Sequence, residues 1–542
     1  MASNTAQVIM DEFESLRTKR SIAESHWRDI ASVLAPDIYF NEQQVIEGKR
    51  ERDMIFDSTG IDAVERLTAA MHSFSVSAGL KWFSVRDPDD DIDENPQVRE
   101  WMHKVTEIML AHFASTKSGW NSAATEIFES EIVFGTGAMF IDPPQQDGAL
   151  NDNMYVARPL TEIFLAENDR AEVDTVYRRL RLSPRQAVQR YGESVDASVS
   201  TQAGRGGTQA REPEEYIHAV YPRDDRAPDL PTPDNMPWAS VTVHQATGTL
   251  VKISGFRRNP YATPRWKKRP GQVYGRGPGH ISLAEVMTKN VMERDVLTAL
   301  NMEVRPPLQG PYDGFIHPVN INPGDIVWTE PGTAERLTPI FSGTRFDAVN
   351  LALAKREEKI RLMFLLDLLE LPLQDRMTTA EVTSRRTDRM QLLSPVLYRQ
   401  SKEFLNPVVV YTFNDLKDAG RFPEMPEELE DHEIAIDYTS PLFQAQKASE
   451  QSNISRALGL IGALAEGDPK VLMNFDSDAL SRHVWTINNN DPRFLVDADE
   501  VASNREKIAQ LESAQQEAQV AETAGSAAKN VVGALQGGRI AS

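Results

Sequence analysis

The sequence predicts an α+β, helix-rich, multidomain fold. Apolar residues recur every three to four positions over long stretches. Between about 139 and 254 that period gives way to short strand-like runs broken by glycine and proline. The length of 542 residues exceeds what one ordinary core fills.

The first element, about 6–35, carries Val8, Ile9, Phe13, Leu16, Ile22, Trp27, Ile30 and Leu34 at helical spacing until Pro36 stops it. A second helix, about 58–78, follows Asp57-Ser58-Thr59, whose short oxygens suit an N-cap. Trp82 to Val85 read as a strand, and Asn95-Pro96 open a helix to about 114. After a helix over 119–134, Gly135 to Ala138 break the pattern. Runs at 139–141, 155–157, 173–177, 216–221 and 240–243 then have strand character. Ser183-Pro184 starts a short helix, and 201–213 reads as a polar, Gly-rich loop and mobile insertion.

Helices are expected over 281–303 and 347–369, antiparallel and each roughly 35 Å long at 1.5 Å per residue. Seven prolines and five glycines in the 41 residues from Arg305 to Arg345 exclude a regular helix between them. A long helix follows, opened by a capping box at Thr378 and Glu381. Pro395 inside it should kink it, and Asn406-Pro407 should bend it again. Beyond Pro441 the chain reads as mainly helical to about 510, then as a loose Gln/Ala/Glu-rich tail.

Composition narrows the chemistry. Without cysteine there is no disulfide, thiolate nucleophile or thiolate metal site, which fits an intracellular origin. No secretion signal is recognised, and the most apolar run, 360–369, falls far short of the roughly 20 residues that span a bilayer. The acidic run Asp87–Glu94 mimics a calcium loop, but Ile92 stands where glycine is needed and Val98 where the bidentate glutamate is needed. No P-loop, His-Glu-x-x-His pair or Gly-x-Ser-x-Gly elbow is present, so no catalytic residue, metal or cofactor is expected. A net charge of −22 argues against a surface that wraps nucleic acid.

The segment 256–276 departs from that acidity. Its Arg265, Trp266, Lys268 and Arg269 suit either stacking and phosphate pairing or contact with the carboxylates of a neighbouring subunit, and the acidic context favours the latter.

The order of Trp27–Pro36 (WRDIASVLAP), Phe56–Thr59 (FDST), Trp82-Phe83, Phe134–Ala138 (FGTGA), Arg158-Pro159-Leu160, Tyr274–Pro278 (YGRGP), Pro306-Pro307 and Thr378–Val382 (TTAEV) resembles the portal, or head-to-tail connector, proteins of short-tailed double-stranded DNA bacteriophages. The resemblance covers about 10–500. It implies a virion protein, assembled in the host bacterial cytoplasm, that forms a ring of about twelve subunits at one capsid vertex. Double-stranded DNA is packaged and ejected through that ring independently of sequence. The expected partners are further copies of the chain, terminase, tail or adaptor proteins, and the major capsid or scaffolding protein.

The resemblance divides the chain into a wing (1–279), a first stem helix (280–303), a clip (304–346) and a second stem helix (347–369). A channel loop (370–377), a kinked wing helix and return (378–435), a crown (436–510) and a flexible tail (511–542) follow. Its channel loop comprises Leu371, Pro372, Leu373, Gln374, Asp375 and Arg376, with packing under the wing as the alternative for the first three. Tyr312, Phe315 and Trp328 are candidates for partner binding on the clip. Lys355, Arg356 and Lys359 are candidates to face DNA, with pairing inside their own helix as the alternative. Another virion structural protein, a tail adaptor or internal head protein, is the competing functional reading.

Overall fold

The computed structural model describes residues 2–36, then 55–304 except 78, 89–94, 143–152, 209, 225 and 227–231. It also describes 308–309, 338–339, 346–369, 393–440 except 430–433, and 443, 454, 457–464, 474–487, 496, 501, 503–511 and 513–515. The chain divides into two compact units. One comprises residues 1–83, 107–422 and 438–447, and the other 84–106, 423–437 and 448–542.

The first unit is organised by a five-stranded antiparallel meander of β4 (Ile163–Glu167), β5 (Val173–Leu182), β6 (Glu214–Pro222), β7 (Trp238–His244) and β8 (Thr249–Phe256). Alternation along each strand sends neighbouring side chains to opposite faces. Tyr177, Ile217, Ala219 and Val241 face the helix α1 (Ala2–Leu34), which contributes Ala6, Ile9 and Phe13. Their neighbours Val176 and Val220 pack with Phe140 and Tyr261 from a second sheet of β2 (Met139–Asp142), β3 (Met154–Ala157) and β9 (Tyr261–Ala262). Phe13 is fully buried beside Phe164, a contribution on the order of 2 kcal/mol for one such side chain.

Helices α2 (Thr59–Ser75), α3 (Pro96–Ala114) and α4 (Trp120–Phe134) follow the expected order. The cap of α2 is shifted by one residue from the obvious reading: Ser58 makes no side-chain cap, and Asp57 Oδ1 accepts from the Thr59 amide and hydroxyl. Trp82, Phe113, Trp120, Tyr155 and Phe404 form an aromatic core, with Trp82 and Trp120 stacked at 5.7 Å and Trp120 and Phe404 at 5.6 Å.

Ser183 caps α5 (Pro184–Tyr191) as read, and Gln186 completes a capping box with it. The loop expected over 201–213 is instead helical at its start. Asp196 caps the helix α6 (Ala197–Arg205), whose Val199 is fully buried beside Leu180 and Tyr216. One buried valine and one cap outweigh a polar composition that reads locally as a linker.

In the second unit Ser84–Arg86 of β1 (Phe83–Arg86) pairs in a two-stranded sheet with β12 (Ala435–Tyr438). Thr106 Oγ1 accepts from the Val85 amide at 3.0 Å, and Trp101 Nε1 donates to the Pro423 carbonyl at 3.1 Å. Asp476 caps the helix Ser477–Ile487 by accepting from the amides of Asp478 and Ala479.

Candidate functional site

The helices at the centre of the sequence argument are α7 (Pro278–Val304) and α8 (Phe346–Met363). At 27 and 18 residues they are about 40 and 27 Å long, unequal where equal lengths were expected. Between them the short strands β10 (Leu308–Gln309) and β11 (Thr338–Pro339) pair antiparallel, returning the chain beside its outward path. Glu285 on α7 accepts from Arg356 at 2.6 Å and from Lys359, both on α8. The Lys359 hydrogen bond, opposed by partial burial and aided by the Arg356 charge, holds the Glu285 carboxyl below its ordinary range. These cations therefore pair across the helices rather than along one.

One turn further along α7, Lys289 is 4% exposed and bonds Asp57 at 2.8 Å, so the residue that caps α2 also anchors α7. Lys355 is exposed and has no ion-pair partner among the described residues. Alongside these charges, α7 exposes Ile281, Met287, Val291, Leu297, Leu300, Met302 and Val304. These side chains are distributed around the helix instead of along one face.

The second helix does not run unbroken to 369. Leu365 has φ 59, and the chain restarts as the short helix α9 (Leu366–Leu369) between the buried Phe364 and Leu366. A non-glycine residue in the left-handed region costs about 1–2 kcal/mol, which the two flanking anchors oppose. Pro395 is also placed differently. Among the described residues it lies in the first turn of α10 (Ser394–Gln400), where its missing amide has no bond to lose. The irregularity appears later as a π turn, Ser401–Leu405, that leads into α11 (Asn406–Asp418). Pro407 has no amide to close the regular ladder there, and the widened turn accommodates it.

The basic segment finds its partners within the chain. Arg265 is 1% exposed, bonds both carboxylate oxygens of Glu403 at 2.8 and 2.9 Å, and pairs with Glu167. Burial works against its charge, but the two carboxylates outweigh that and hold its pKa above the ordinary value. Lys268 also reaches Glu167 at 2.5 Å, and Trp266 is buried. The expectation that Arg265 and Trp266 meet a neighbouring subunit is corrected: a carboxylate on β4 and another on the π turn already neutralise Arg265. Lys267 and Arg269 remain on the surface.

Three quoted motifs converge. In Phe134–Ala138, Gly135 has φ 78 and its amide closes α4 on the Glu131 carbonyl at 2.8 Å. Gly275 of the Tyr274–Pro278 motif donates to Thr136 Oγ1, and Arg158 donates its amide to the Ala138 carbonyl. A Cβ on Gly277 would sit 2.2 Å from the Glu131 carbonyl oxygen, so only glycine lets the two backbones meet. Gly277→Ala is expected to cost about 1–3 kcal/mol, read as a lower unfolding midpoint. Gly204→Ala, on an exposed helix face with nothing within 4 Å, should leave it unchanged or higher.

The channel-loop residues Leu371 to Arg376, the cap at Thr378 and Glu381, and the clip candidates Tyr312, Phe315 and Trp328 lie outside the described residues. Among those described, no cluster of three metal-ligating side chains occurs, and no helix is long and apolar enough to cross a membrane. Sequence reasoning missed the buried Arg20, which donates to the Thr161 and Ile163 carbonyls, because its partners are 141 and 143 positions away. Asp57 could have been found only through the FDST motif itself.

The model of the family described as bacteriophage head to tail connecting protein matches residues 6–495. The chain is 29% identical to the probable portal protein of Bordetella phage BPP-1, over 98% of this chain and 96% of that one. It is 26% identical to the portal protein of Salmonella phage epsilon15, again over 98% of this chain and 96% of that one. A match running from the first helix past α12 (Ser477–Ile487), and taking in the interlocked glycine motifs and the α7–α8 pair, establishes the family: the chain belongs to the bacteriophage head-to-tail connecting proteins.

Proposed function

We propose that this chain is a portal protein, forming a ring of about twelve subunits at one capsid vertex. Through that ring double-stranded DNA enters during packaging and leaves at ejection. The observation that carries the reading is the family match over residues 6–495, together with portal relatives aligned over nearly their whole length. The exposed apolar residues of α7 support self-association, since a neighbouring copy would remove them from water.

In this reading α7 and α8 are the stem, and residues 304–346 are the clip that docks terminase and later tail or adaptor proteins through side chains such as Tyr312, Phe315 and Trp328. Residues 370–377 are the channel loop, and capsid or scaffolding protein meets the ring's outer surface. The role is structural, without catalysis. A conduit must release every phosphate it touches, so a net charge of −22 per chain suits sliding better than a basic lining would. Lys355 is the leading DNA-facing cation. Arg356 and Lys359 contribute less because Glu285 already offsets their charge.

Electron micrographs and native masses of purified chain should show annular oligomers with a central hole. Monomers or dimers alone, under soluble conditions, would count against the reading. Deleting Leu371 to Arg376 should leave such rings intact while DNA packaging or retention is lost. Normal packaging by rings lacking the segment removes its assignment as the channel loop.

A further inference from the structure

Glu131 lies in the last turn of α4 with no solvent exposure, and Gln400, the last residue of α10, is 2% exposed against it. Gln400 Nε2 donates to Glu131 Oε2. The other oxygen of each group, Glu131 Oε1 and Gln400 Oε1, is buried without a hydrogen-bond partner among the described residues. Two acceptors are thus removed from water with no donor between them, which leaves the desolvation of each uncompensated.

Among the described residues no cation offsets a charge on Glu131. The groups acting on it are Gln400 from α10 and the carboxylate of Glu403 from the π turn, which is itself held by Arg265 and Arg399. Behind Glu131 the backbone of Gly277 presses on its own carbonyl, and around the π turn the packing is aromatic, with Phe404 against Phe128 and Trp120.

We propose that Glu131 carries a proton in the folded protein and forms a cyclic acid–amide pair with Gln400. The Oε1 hydroxyl donates to Gln400 Oε1 while Oε2 accepts from Gln400 Nε2. One proton satisfies both orphaned oxygens and removes an uncompensated buried charge. The pair fixes Gln400 at the residue where α10 gives way to the π turn Ser401–Leu405, so it sets the register in which the widened turn begins.

Burial, with the Glu403 charge adding and the Gln400 bond opposing, pushes the Glu131 carboxyl well above its usual 4.5. A folded-state pKa raised in this way means that the folded chain binds the proton more tightly than the unfolded chain. The contribution is full below about pH 4.5 and is lost as pH rises through the folded pKa. Nothing in this proposal depends on ring formation.

The test compares unfolding midpoints of the purified full chain, as wild type, Glu131→Gln and Glu131→Ala, from mildly acidic to mildly alkaline pH. Infrared difference spectra of wild type against Glu131→Gln are recorded at neutral pH. Glutamine offers the same donor and acceptor without a titration, so Glu131→Gln should keep the midpoint. It should also remove the part of the alkaline decline due to Glu131, whereas Glu131→Ala lowers the midpoint throughout. The difference spectrum should contain the carbonyl stretch of a protonated carboxyl. A Glu131→Gln midpoint as low as that of Glu131→Ala overturns the proposal, as does a pH profile parallel to wild type. If Glu131→Gln does not fold, Gln400→Glu replaces it: two acids sharing a proton should steepen the alkaline decline, and an unchanged slope rejects the pair.

Discussion

Replacing Arg265 by methionine is expected to destabilise the fold by about 3–5 kcal/mol, as does removal of one partner from other buried ion pairs. The guanidinium is 1% exposed and is the one cation among the described residues shared by Glu167 and Glu403, each 14% exposed, which otherwise keep Lys268 and Arg399 respectively. Methionine restores the stem's packing but leaves both carboxylates without this cation, and it removes donors from the Val273 and Ala171 carbonyls. Urea or thermal unfolding should show the loss directly. Adding Glu403→Gln should return part of it, because the remaining carboxylate, Glu167, keeps Lys268. A single variant within about 0.5 kcal/mol of wild type would mean that water replaces Arg265 freely and that its burial is misjudged.

Introducing aspartate at Val291 and Leu297 together should prevent the proposed ring from forming, leaving monomers, without weakening the subunit. Both side chains are nearly half exposed in the single chain, at 45% and 46%, so the charges are hydrated while it is alone. Surface substitutions of that kind shift subunit stability by only about 0.5 kcal/mol. Closing a ring would desolvate them at every repeated interface, and the cost accumulates around the circle. Size-exclusion chromatography and native mass distinguish the outcomes, with the unfolding midpoint as control. Intact rings would place the subunit contacts away from this part of α7.

Much of the chain was legible because its signals are local. Pro96, Gly135 and Ser183-Pro184 mark boundaries that the structure reproduces within a few residues, and β5, β6 and β7 of the meander stand where apolar runs were short. Local signals also explain the misses. Leu365 breaks its helix without any glycine or proline to announce it. Pro395 looked like an interior kink because nothing nearby shows that a described helix starts at Ser394. The segment Ile163–Glu167 is too brief an apolar run to declare itself a strand before its pairing with β5 is known.

The charged sites were harder to read, because the ion pairs that define them are remote in sequence. Arg265 reaches 98 positions back to Glu167 and 138 forward to Glu403, and Lys289 reaches 232 back to Asp57. A basic stretch read in isolation therefore looked like an outward-facing surface throughout, whereas its Arg265 and Lys268 belong to an internal network. The cations of α8 show the same limit, since their acceptor, Glu285, lies on α7.

The meeting of Gly135, Gly275 and Gly277 has a genetic consequence. What an added methyl would strike at these positions is chiefly main chain: the carbonyls of Gly135, Glu131 and Ile132, and the backbone of Gly275 and Arg276. Trimming a neighbouring side chain cannot open that space, because every residue type carries the same peptide atoms. A selection for second-site suppressors of Gly277→Ala should therefore return reversion to glycine, whereas suppressors of Arg265→Met should arise readily at the carboxylates it serves.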